Sequence, residues 1–312
     1  MASVVILGIF VADTAYRAPR LPKIGETLLG QGFALGPGGK GSNQAVAAGL
    51  ASGADGPEVH FITRTGEDDF ARLADQVWAR AGVRPAVTRD PQAYTGAAFI
   101  FVSTETGDNA IIVAPGAAAD LGPRDAEAQA GLIGGATVFV TQLEQPLPAA
   151  RRALELARAG GAVTILNPAP AAALPEGFLA LCDWVTPNET EAEALTGIAV
   201  TDLASAEAAA RALIGQGAGG AVMTLGAQGV LLVDASGARH IPAFSAGAVA
   251  DTTGAGDAFN GSFALALAEG RPPAEAARFG CAAAGISVTR PGAAAAMPDR
   301  AEIDALLRGS AG

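Results

Sequence analysis

Short apolar runs alternate with amphipathic or alanine-rich stretches along almost the whole chain, and this alternation restricts the fold more than any other feature. The pattern is typical of a parallel sheet whose strands are connected by helices. Six runs predict buried strands, at Val4–Ile9, Val59–Thr63, Thr137–Thr141, Ala162–Asn167, Ala221–Leu225 and Val230–Asp234. Helices are expected at Asn43–Ala51, Asp68–Ala81, Pro148–Ala159, Glu189–Leu195, Ala204–Gln216, Ala258–Ala268, Pro273–Val288 and Asp299–Leu307. We therefore expect an α/β fold with a doubly wound sheet.

Two segments interrupt this alternation. Residues 11–36 are rich in glycine, proline and charged residues, and residues 93–114 contain two strand-like runs around the turn at 105–109. Neither segment has the apolar residues needed to bury a core of its own. We expect both to form a small β lid inserted into a single domain that spans residues 1–312.

Composition narrows the class of protein and the kinds of site. Hydrophobic residues make up 50% of the 312 residues and charged residues only 16%, which indicates a globular protein with a large core. The net charge of −11 argues against nucleic acid as a partner, because phosphate backbones require clustered Lys and Arg. Cys182 and Cys281 lack the spacing of a metal site or a disulfide framework, and only His60 and His240 are present. Any general base is therefore expected to be a carboxylate.

The sequence predicts neither secretion nor membrane insertion. The apolar run Ser3–Phe10 lacks a preceding basic region and is soon followed by Asp13 and Arg17. No apolar stretch reaches the roughly 18 residues that a membrane span requires. We expect a cytoplasmic protein.

The run Asp251–Gly261, with the sequence Asp-Thr-Thr-Gly-Ala-Gly-Asp-Ala-Phe-Asn-Gly, combines three features of a phosphoryl-transfer site. Gly254, Ala255 and Gly256 let the backbone approach a ligand closely, and the helix that follows directs its free N–H groups into this turn, which predicts an anion-binding site. Asp257 lies where it could accept a proton from a hydroxyl that attacks a phosphate. Alternatively, Asp257 is only a helix N-terminal carboxylate favoured by the helix dipole.

A second glycine-rich motif lies at residues 38–48, Gly-Gly-Lys-Gly-Ser-Asn-Gln-Ala-Val-Ala-Ala. Residues 36–41 match the spacing of a dinucleotide-binding motif, but no buried strand leads directly into them. The P-loop pattern fails because Gly41 follows Lys40. What remains is a glycine turn before a helix, whose Lys40 and Asn43 donors suit a polyhydroxylated ligand. The alternative is an ordinary loop with a solvated Lys40 and a capping Asn43.

Both motifs closely resemble the two signatures of the ribokinase (PfkB) family of carbohydrate and nucleoside kinases, in the order and spacing of that family. The resemblance extends over essentially the whole chain. It implies a three-layer αβα fold, ATP as phosphate donor, Mg²⁺, and a β lid that covers the sugar and often forms a homodimer contact. The activity it implies is phosphorylation of the primary hydroxyl of ribose or of a related furanose or ketose.

The resemblance also assigns substrate-binding residues, which are Asp13, Gly39, Lys40, Asn43, Glu144 and Asp257. Asp13 and Glu144 follow predicted parallel strands at their carboxyl ends, where open α/β sheets bind ligands. One position departs from the family, because ribokinases usually carry a sugar-binding Asn where this chain has Val11. An unpaired sugar hydroxyl there would cost roughly 1–3 kcal/mol. This departure puts ribose itself in doubt as the substrate, while sugar phosphorylation remains the expectation.

The nucleotide and metal positions follow from the same resemblance. Asn188 and Glu191 are expected to order the water shell of Mg²⁺ and the phosphates, although the same pair also fits a helix capping box. Nucleotide contacts are expected at Thr224, Gly226, Gly229 and Gly256, although a plain hairpin turn explains the segment from 224 to 229 equally well. A site for a monovalent cation, expected to be K⁺, is implied at Asp251, Thr253, Ser287, Arg290, Gly292 and Ala296. Ribokinases often have Ser at the place of Ala296.

Two kinds of rival function remain. A nucleoside or phosphosugar kinase of the same family is one, although no pair of Arg or Lys side chains clusters near Lys40 in the sequence to hold a second phosphate. The other is a non-catalytic sugar-binding regulator on the same fold. The presence of Asp257 argues against a regulator, because a binding protein needs no base beside an anion site.

Overall fold

The computed structural model describes residues 1–309. Over these residues the strands are β1 (Ser3–Leu7), β2 (Val11–Ala18), β3 (Gly32–Gly38), β4 (Glu58–Thr65), β5 (Val83–Arg89), β6 (Thr95–Ser103), β7 (Asn109–Gly116), β8 (Val138–Thr141), β9 (Val163–Leu166), β10 (Trp184–Val185), β11 (Gly220–Thr224), β12 (Val230–Asp234) and β13 (Gly237–Ile241). The helices are α1 (Lys40–Ser52), α2 (Asp69–Arg80), α3 (Pro123–Ala128), α4 (Ala130–Gly134), α5 (Leu147–Gly160), α6 (Glu189–Thr196), α7 (Leu203–Gly215), α8 (Ala255–Ala268), α9 (Pro273–Ser287) and α10 (Arg300–Gly309).

The large sheet has the strand order β13-β12-β11-β10-β9-β8-β1-β4-β5. The strands from β5 to β11 are parallel, as the alternating pattern predicts. At one edge β12 and β13 run antiparallel to their neighbours, and residues 224–229 form the hairpin turn that the sequence allowed. The glycine-bearing turn after β11 reverses the chain directly, so no crossover helix is needed there.

Helices cover both faces of this sheet, which confirms the prediction of a doubly wound three-layer fold. Alternate side chains of β1 enter two different cores. Val4 and Ile6 pack with helices α1, α2, α8, α9 and α10 in one core. Val5 and Leu7 pack with α5, α6 and α7 in the other. Because β1 is buried on both faces, it reads as a continuous apolar run in the sequence.

The strands that sequence reasoning missed lie mainly at the edges of the sheet. β5 contains Arg84 and Pro85, and β13 exposes most of its residues to solvent. An edge strand needs neither an apolar run nor all of its N–H donors, so its sequence carries a weak signal. The short helices α3 and α4 were missed as well, because each is too brief to show a helical period.

A second, four-stranded sheet has the order β3-β2-β6-β7. Its strands lie within or beside the two segments that interrupt the alternation. β2 and β6 are parallel, and the other pairs are antiparallel. The outer side of this sheet carries aromatic residues, since the ring of Tyr16 lies 5.1 Å from that of Phe33 and 5.5 Å from that of Phe99 between centroids.

The α-helices described over residues 1–309 are 5 to 15 residues long. Within residues 1–309, none combines the length and the apolar character that crossing a bilayer demands.

Candidate active site

The start of α8 leaves backbone N–H groups free, as expected from the glycine-rich run. Gly254 precedes the helix with φ of 76°, and a Cβ there would lie 2.8 Å from the Cβ of Ala293, so this position requires glycine. Among residues 1–309, no acceptor meets the N–H groups of Gly254, Gly256 and Asp257. We expected the Ala255 N–H in this set as well, but it donates to the Thr252 carbonyl at 3.2 Å. A Cβ on Gly256 would point into open space, which leaves room for an anion.

Asp257 lies in the first turn of α8 and is only 6% exposed. Its side chain caps no backbone N–H of the helix. Instead, Asn43 Nδ2 donates to Asp257 Oδ2 at 3.0 Å, and Gln44 Nε2 donates to Asp257 Oδ1 at 3.1 Å. Burial raises the pKa of Asp257, against the opposing effects of the Lys40 charge and the two amide donors. Asp257 therefore makes no capping hydrogen bond, although its place in the first turn of α8 is one that the helix dipole favours.

The second glycine motif forms the start of α1. Gly39 has φ of 87°, and a Cβ there would lie 2.5 Å from the Ile9 carbonyl oxygen, so glycine is required again. α1 begins at Lys40, earlier than predicted, and Asn43 is therefore inside the helix and not its cap. The backbone N–H of Lys40 donates to Glu144 Oε2 at 2.7 Å. Asn43 Oδ1 is buried with no hydrogen-bond partner among the described residues, so it can accept a bond from a ligand hydroxyl.

Two further carboxyl groups face this region. Burial raises the pKa of Asp13 to about 6 and the pKa of Glu144 to about 7. The nearby charges of Asp257 and Asp13 raise the pKa of Glu144 further, while Lys40 lowers it. The hydrogen bonds of Lys40 to Glu144 and of Asn43 to Asp257, with the Asp13 carboxylate lying against Gly38, bring the predicted sugar-binding residues from four separate segments into one polar cluster.

Val11 is an apolar residue of β2, the strand that also contains Asp13. It is 5% exposed and packs with Ile9, Ala98 and Ala118. Since side chains alternate along β2, Val11 and Asp13 share a face of the four-stranded sheet. Val11 lies opposite Gly38, directly before the glycine turn that begins α1.

Asn188 and Glu191 form the capping box that the sequence allowed. Glu191 N–H donates to Asn188 Oδ1 at 2.8 Å, and Asn188 N–H donates to Glu191 Oε2 at 2.9 Å. Burial raises the pKa of Glu191, and the charge of Lys40 opposes this rise. Glu191 is thus within electrostatic reach of Lys40 and Asp257, so the box lies beside the polar cluster.

The turn from Thr224 to Gly229 lies next to this box, since Thr224 forms an isolated parallel bridge with Asn188. Gly226 and Gly229 both have positive φ. A Cβ on Gly229 would lie 2.2 Å from the Ile241 carbonyl oxygen, so the β12–β13 packing alone requires that glycine. The support for a nucleotide site here is therefore the contact between Asn188 and Thr224, and not the presence of the two glycines.

The residues expected around a monovalent cation cluster between the loop before α8 and the loop after α9. Asp251 accepts hydrogen bonds from the N–H groups of Thr253 and Gly292, each at 2.9 Å. Burial would raise the pKa of Asp251, but these bonds hold it below its usual value. The Arg290 side chain turns away and pairs with Glu302.

Carbonyl groups are the cation ligands that these two loops can offer. Among residues 1–309, no donor meets the backbone carbonyls of Asp251, Thr253, Arg290 and Gly292. The Ser287 carbonyl, by contrast, already accepts from the Arg290 N–H at 3.1 Å. Ala296, which is fully buried, offers no side-chain oxygen. Residues 1–309 contain no cluster of His, Cys, Asp and Glu side chains that could hold a metal ion.

Sequence reasoning missed a group of buried polar side chains behind Asp257, namely Gln44, Gln142, Asn167, Thr186 and Asn260. Gln44 follows Asn43 within the second motif, and three others end or follow parallel strands at their carboxyl ends. Their positions at the ends of parallel strands could have indicated them, because ligand-binding polar groups converge at this edge of an open sheet.

The chain is similar to known kinases over nearly its full length. The model of the family "pfkB family carbohydrate kinase" matches residues 1–300. The ribokinase of Haemophilus influenzae is 41% identical over 301 residues, which cover 95% of each protein. The deoxyribokinase of Salmonella typhi is 35% identical over 297 residues, again 95% of each protein.

The fold comparison agrees with these similarities. The solved structure of Arabidopsis thaliana ribokinase, complexed with ribose and ATP, has a TM-score of 0.93 and 30% identity and covers 99% of both chains. The family expected from the two sequence motifs is confirmed. The chain belongs to the pfkB family of carbohydrate kinases, and it is a transferase that phosphorylates a hydroxyl group.

Proposed function

We propose that the chain phosphorylates the primary hydroxyl of ribose, or of a closely related sugar, with ATP as donor. The observation that carries this proposal is the position of Asp257, which is buried between free amide N–H groups and the polar cluster of Lys40, Asn43 and Glu144. The Arabidopsis relative bound to ribose and ATP supports both substrates. We propose the cytoplasm as the location of this chain.

In the proposed reaction, Asp257 accepts the proton of the attacking hydroxyl. The hydroxyl oxygen forms a bond to the γ-phosphorus while the bond from that phosphorus to the bridging oxygen breaks, and ADP leaves with the electron pair. The free N–H groups of Gly256 and Asp257 stabilise the charge that develops on the phosphoryl oxygens. The raised pKa of Asp257 makes it a stronger base than an exposed carboxylate.

The sugar is proposed to lie against Asp13, Lys40, Asn43 and Glu144. Carboxylates can each accept several hydrogen bonds, so Asp13 and Glu144 suit neighbouring ring hydroxyls. The unpartnered Asn43 Oδ1 adds a further acceptor. Closure of the sheet formed by β2, β3, β6 and β7 would exclude water from the sugar and so suppress hydrolysis of ATP.

A second candidate substrate is a sugar that lacks one hydroxyl group of ribose. Val11 supports this candidate, because it is apolar and nearly buried beside Asp13. The similarity to a deoxyribokinase supports it as well. An apolar side chain would tolerate the absence of a hydroxyl better than its presence.

We propose Mg²⁺ and a monovalent cation as cofactors. Asn188 and Glu191 would hold the water shell of Mg²⁺, which neutralises phosphate charge when it is bound. The carbonyls without donors at Asp251, Thr253, Arg290 and Gly292 suit K⁺, which prefers neutral oxygen ligands. Turnover in KCl compared with choline chloride tests the second cation, and equal rates in the two salts would rule out its role.

We also propose a homodimer that forms through the lid sheet. Its outer side exposes large apolar residues, with Phe33 at 61% and Ile112 at 67% exposure. A contiguous apolar surface of this kind marks an interaction site. Light scattering tests the proposal, and a monomer mass at micromolar concentration would contradict it.

The decisive experiment is an ADP-release screen with ribose, 2-deoxyribose, fructose, other hexoses and nucleosides, in wild type and Asp257→Asn. We expect ribose or 2-deoxyribose to give the highest kcat/KM. Asp257→Asn should lower turnover by about 10²–10⁴-fold while ATP binding persists, the usual effect of losing a positioned base.

The control variant is Asp125→Asn, which neutralises another buried aspartate that contacts Arg64 and Thr88 and lies outside the site. It should retain turnover per folded molecule. A loss of less than tenfold in Asp257→Asn would remove Asp257 from the role of base.

A further inference from the structure

We propose that Gln44 is a positioning residue for Asp257, and that a closed ring of buried hydrogen bonds through Gln44 ties the Asp257 carboxylate to the backbone of the anion site. This inference rests on the proposed function, because it takes Asp257 as the base. The role differs from sugar binding, since Gln44 is completely buried and reaches the reacting groups only through Asp257.

The three hydrogen bonds of Gln44 determine the orientation of its amide group. Nε2 donates to Asp257 Oδ1 at 3.1 Å and to Asn167 Oδ1 at 3.0 Å, which uses both amide protons. Oε1 accepts from Gln142 Nε2 at 2.6 Å. A flip of the amide would turn its carbonyl toward the carboxylate of Asp257 and toward Asn167 Oδ1, both of which are acceptors. Gln142 therefore helps to keep the donor of Gln44 on Asp257.

The ring continues from Asn167 toward the anion site. Asn167 Nδ2 donates to the Thr186 carbonyl at 3.0 Å, and the hydroxyl of Thr186 donates to Asn260 Oδ1 at 2.5 Å. Asn260 Nδ2 donates to the Gly256 carbonyl at 2.8 Å. Gly256 is bonded to Asp257 in the chain, so the ring closes. Moving the carboxylate relative to the N–H groups of Gly256 and Asp257 would break at least one of these buried bonds.

Charged groups approach Asp257 from several elements. Lys40 of α1 lowers its pKa, while Asp257 interacts electrostatically with Glu144, which follows β8, and with Glu191 of α6. Asp13 of β2 also interacts electrostatically with Glu144. Among these groups Gln44 is a neutral donor, so it holds one oxygen in place and favours the ionised carboxylate without adding a charge.

The test is Gln44→Met, which keeps the length of the side chain and removes its donors. We expect kcat to fall about tenfold, the effect of one hydrogen bond to a charged group, while the KM for the sugar changes less than about threefold. The acid limb of the kcat profile should move to higher pH, because the ionised carboxylate has lost a donor.

Gln145→Met is the matched control. Gln145 is also a buried amide near the site, but its Nε2 donates to Thr141 Oγ1 and to the Gln142 carbonyl and not to Asp257. We expect this variant to keep the acid limb of the wild type. An equal loss of kcat in both variants, with no shift of the acid limb in either, would reduce Gln44 to a packing role and overturn the inference.

A double-mutant cycle separates the inference from the proposed function. With Asp257→Asn in place, adding Gln44→Met should cost much less than tenfold, because the two residues act together. If Asp257→Asn is itself as active as wild type, the proposed function fails. If Asp257→Asn is impaired but Gln44→Met has normal kcat and a normal acid limb, only the inference fails.

A second variant covers the case in which Gln44→Met does not fold. Thr186→Val keeps the side-chain shape and opens the ring between Thr186 and Asn260, away from Gln44. We expect kcat to fall about threefold to tenfold with little change in the KM for the sugar. Unchanged kcat in this variant would show that the ring does not hold the two parts of the site together.

Discussion

At the scale of the residue, Val11 distinguishes this chain from ribokinases, which usually carry a sugar-binding Asn at this place. Val11→Asn should raise kcat/KM for ribose, because an amide that pairs with a sugar hydroxyl recovers roughly 1–3 kcal/mol, or about 5- to 150-fold. The same amide would lie among Ile9, Ala98 and Ala118 in the free enzyme, so we expect a lower melting temperature. Steady-state kinetics with ribose and 2-deoxyribose, together with thermal unfolding, check both effects.

Val11→Leu is the control for this substitution, since leucine has nearly the shape of asparagine and no polar atoms. Val11→Leu should not raise kcat/KM for ribose. If ribose is already the best substrate of the wild type by a wide margin and Val11→Asn changes nothing, then valine is a neutral replacement and ribose alone is the substrate.

At the scale of the element, the start of α8 combines a glycine turn with N–H groups that the helix itself does not use. Gly256→Val should reduce turnover much more than stability, because its side chain would occupy the open space in front of those groups. We expect at least a hundredfold loss in kcat/KM for ATP, since steric exclusion of a phosphate removes several stabilising contacts at once. ADP release and calorimetric ATP binding measure the effect.

Gly215→Val provides the matched control for Gly256→Val. Gly215 ends α7, and a Cβ there also meets open space. This variant carries the same cost of a β-branched residue in a helix, so it shows how much of any loss is due to folding. Normal ATP turnover in Gly256→Val would mean that the start of α8 is not the anion site.

At the scale of the whole molecule, the buried carboxyl groups of the site should oppose stability as pH rises. Burial raises the pKa of Glu144 from an ordinary value of 4.5 to about 7, and that of Asp13 from 3.8 to about 6. A raised pKa means that the folded state binds more protons than the unfolded chain. The stability from these groups is therefore complete below the unfolded values and is lost as pH rises through the folded ones.

We accordingly expect these groups to lower the melting temperature of the free enzyme between about pH 4 and pH 7, and Glu144→Gln to make that fall shallower by a few degrees. Differential scanning calorimetry across this range tests the prediction. Glu275→Gln removes the same charge from an exposed position on α9 and controls for net charge. An identical slope in Glu144→Gln and wild type would contradict the prediction.

Much of this molecule could be predicted from local sequence. The apolar runs gave the parallel core strands because a strand buried on both faces must be apolar throughout. The first glycine motif predicted the free N–H groups at the start of α8, and the second predicted a glycine turn before α1. Gly39 and Gly254 both adopt a positive φ that other residues avoid. The family likewise follows from these motifs, and the similarities to known kinases confirm it.

Only the tertiary structure decided which side chains meet. Gln44 and Asp257 are far apart in sequence, and no local pattern indicates that an amide of α1 bonds a carboxylate of α8. The free carbonyls around Asp251 were equally unpredictable, because hydrogen bonds between distant segments depend on how those segments pack. Propensity and hydrophobic period act over a few residues, whereas the carboxyl ends of parallel strands bring polar groups from the whole chain to one edge of the sheet.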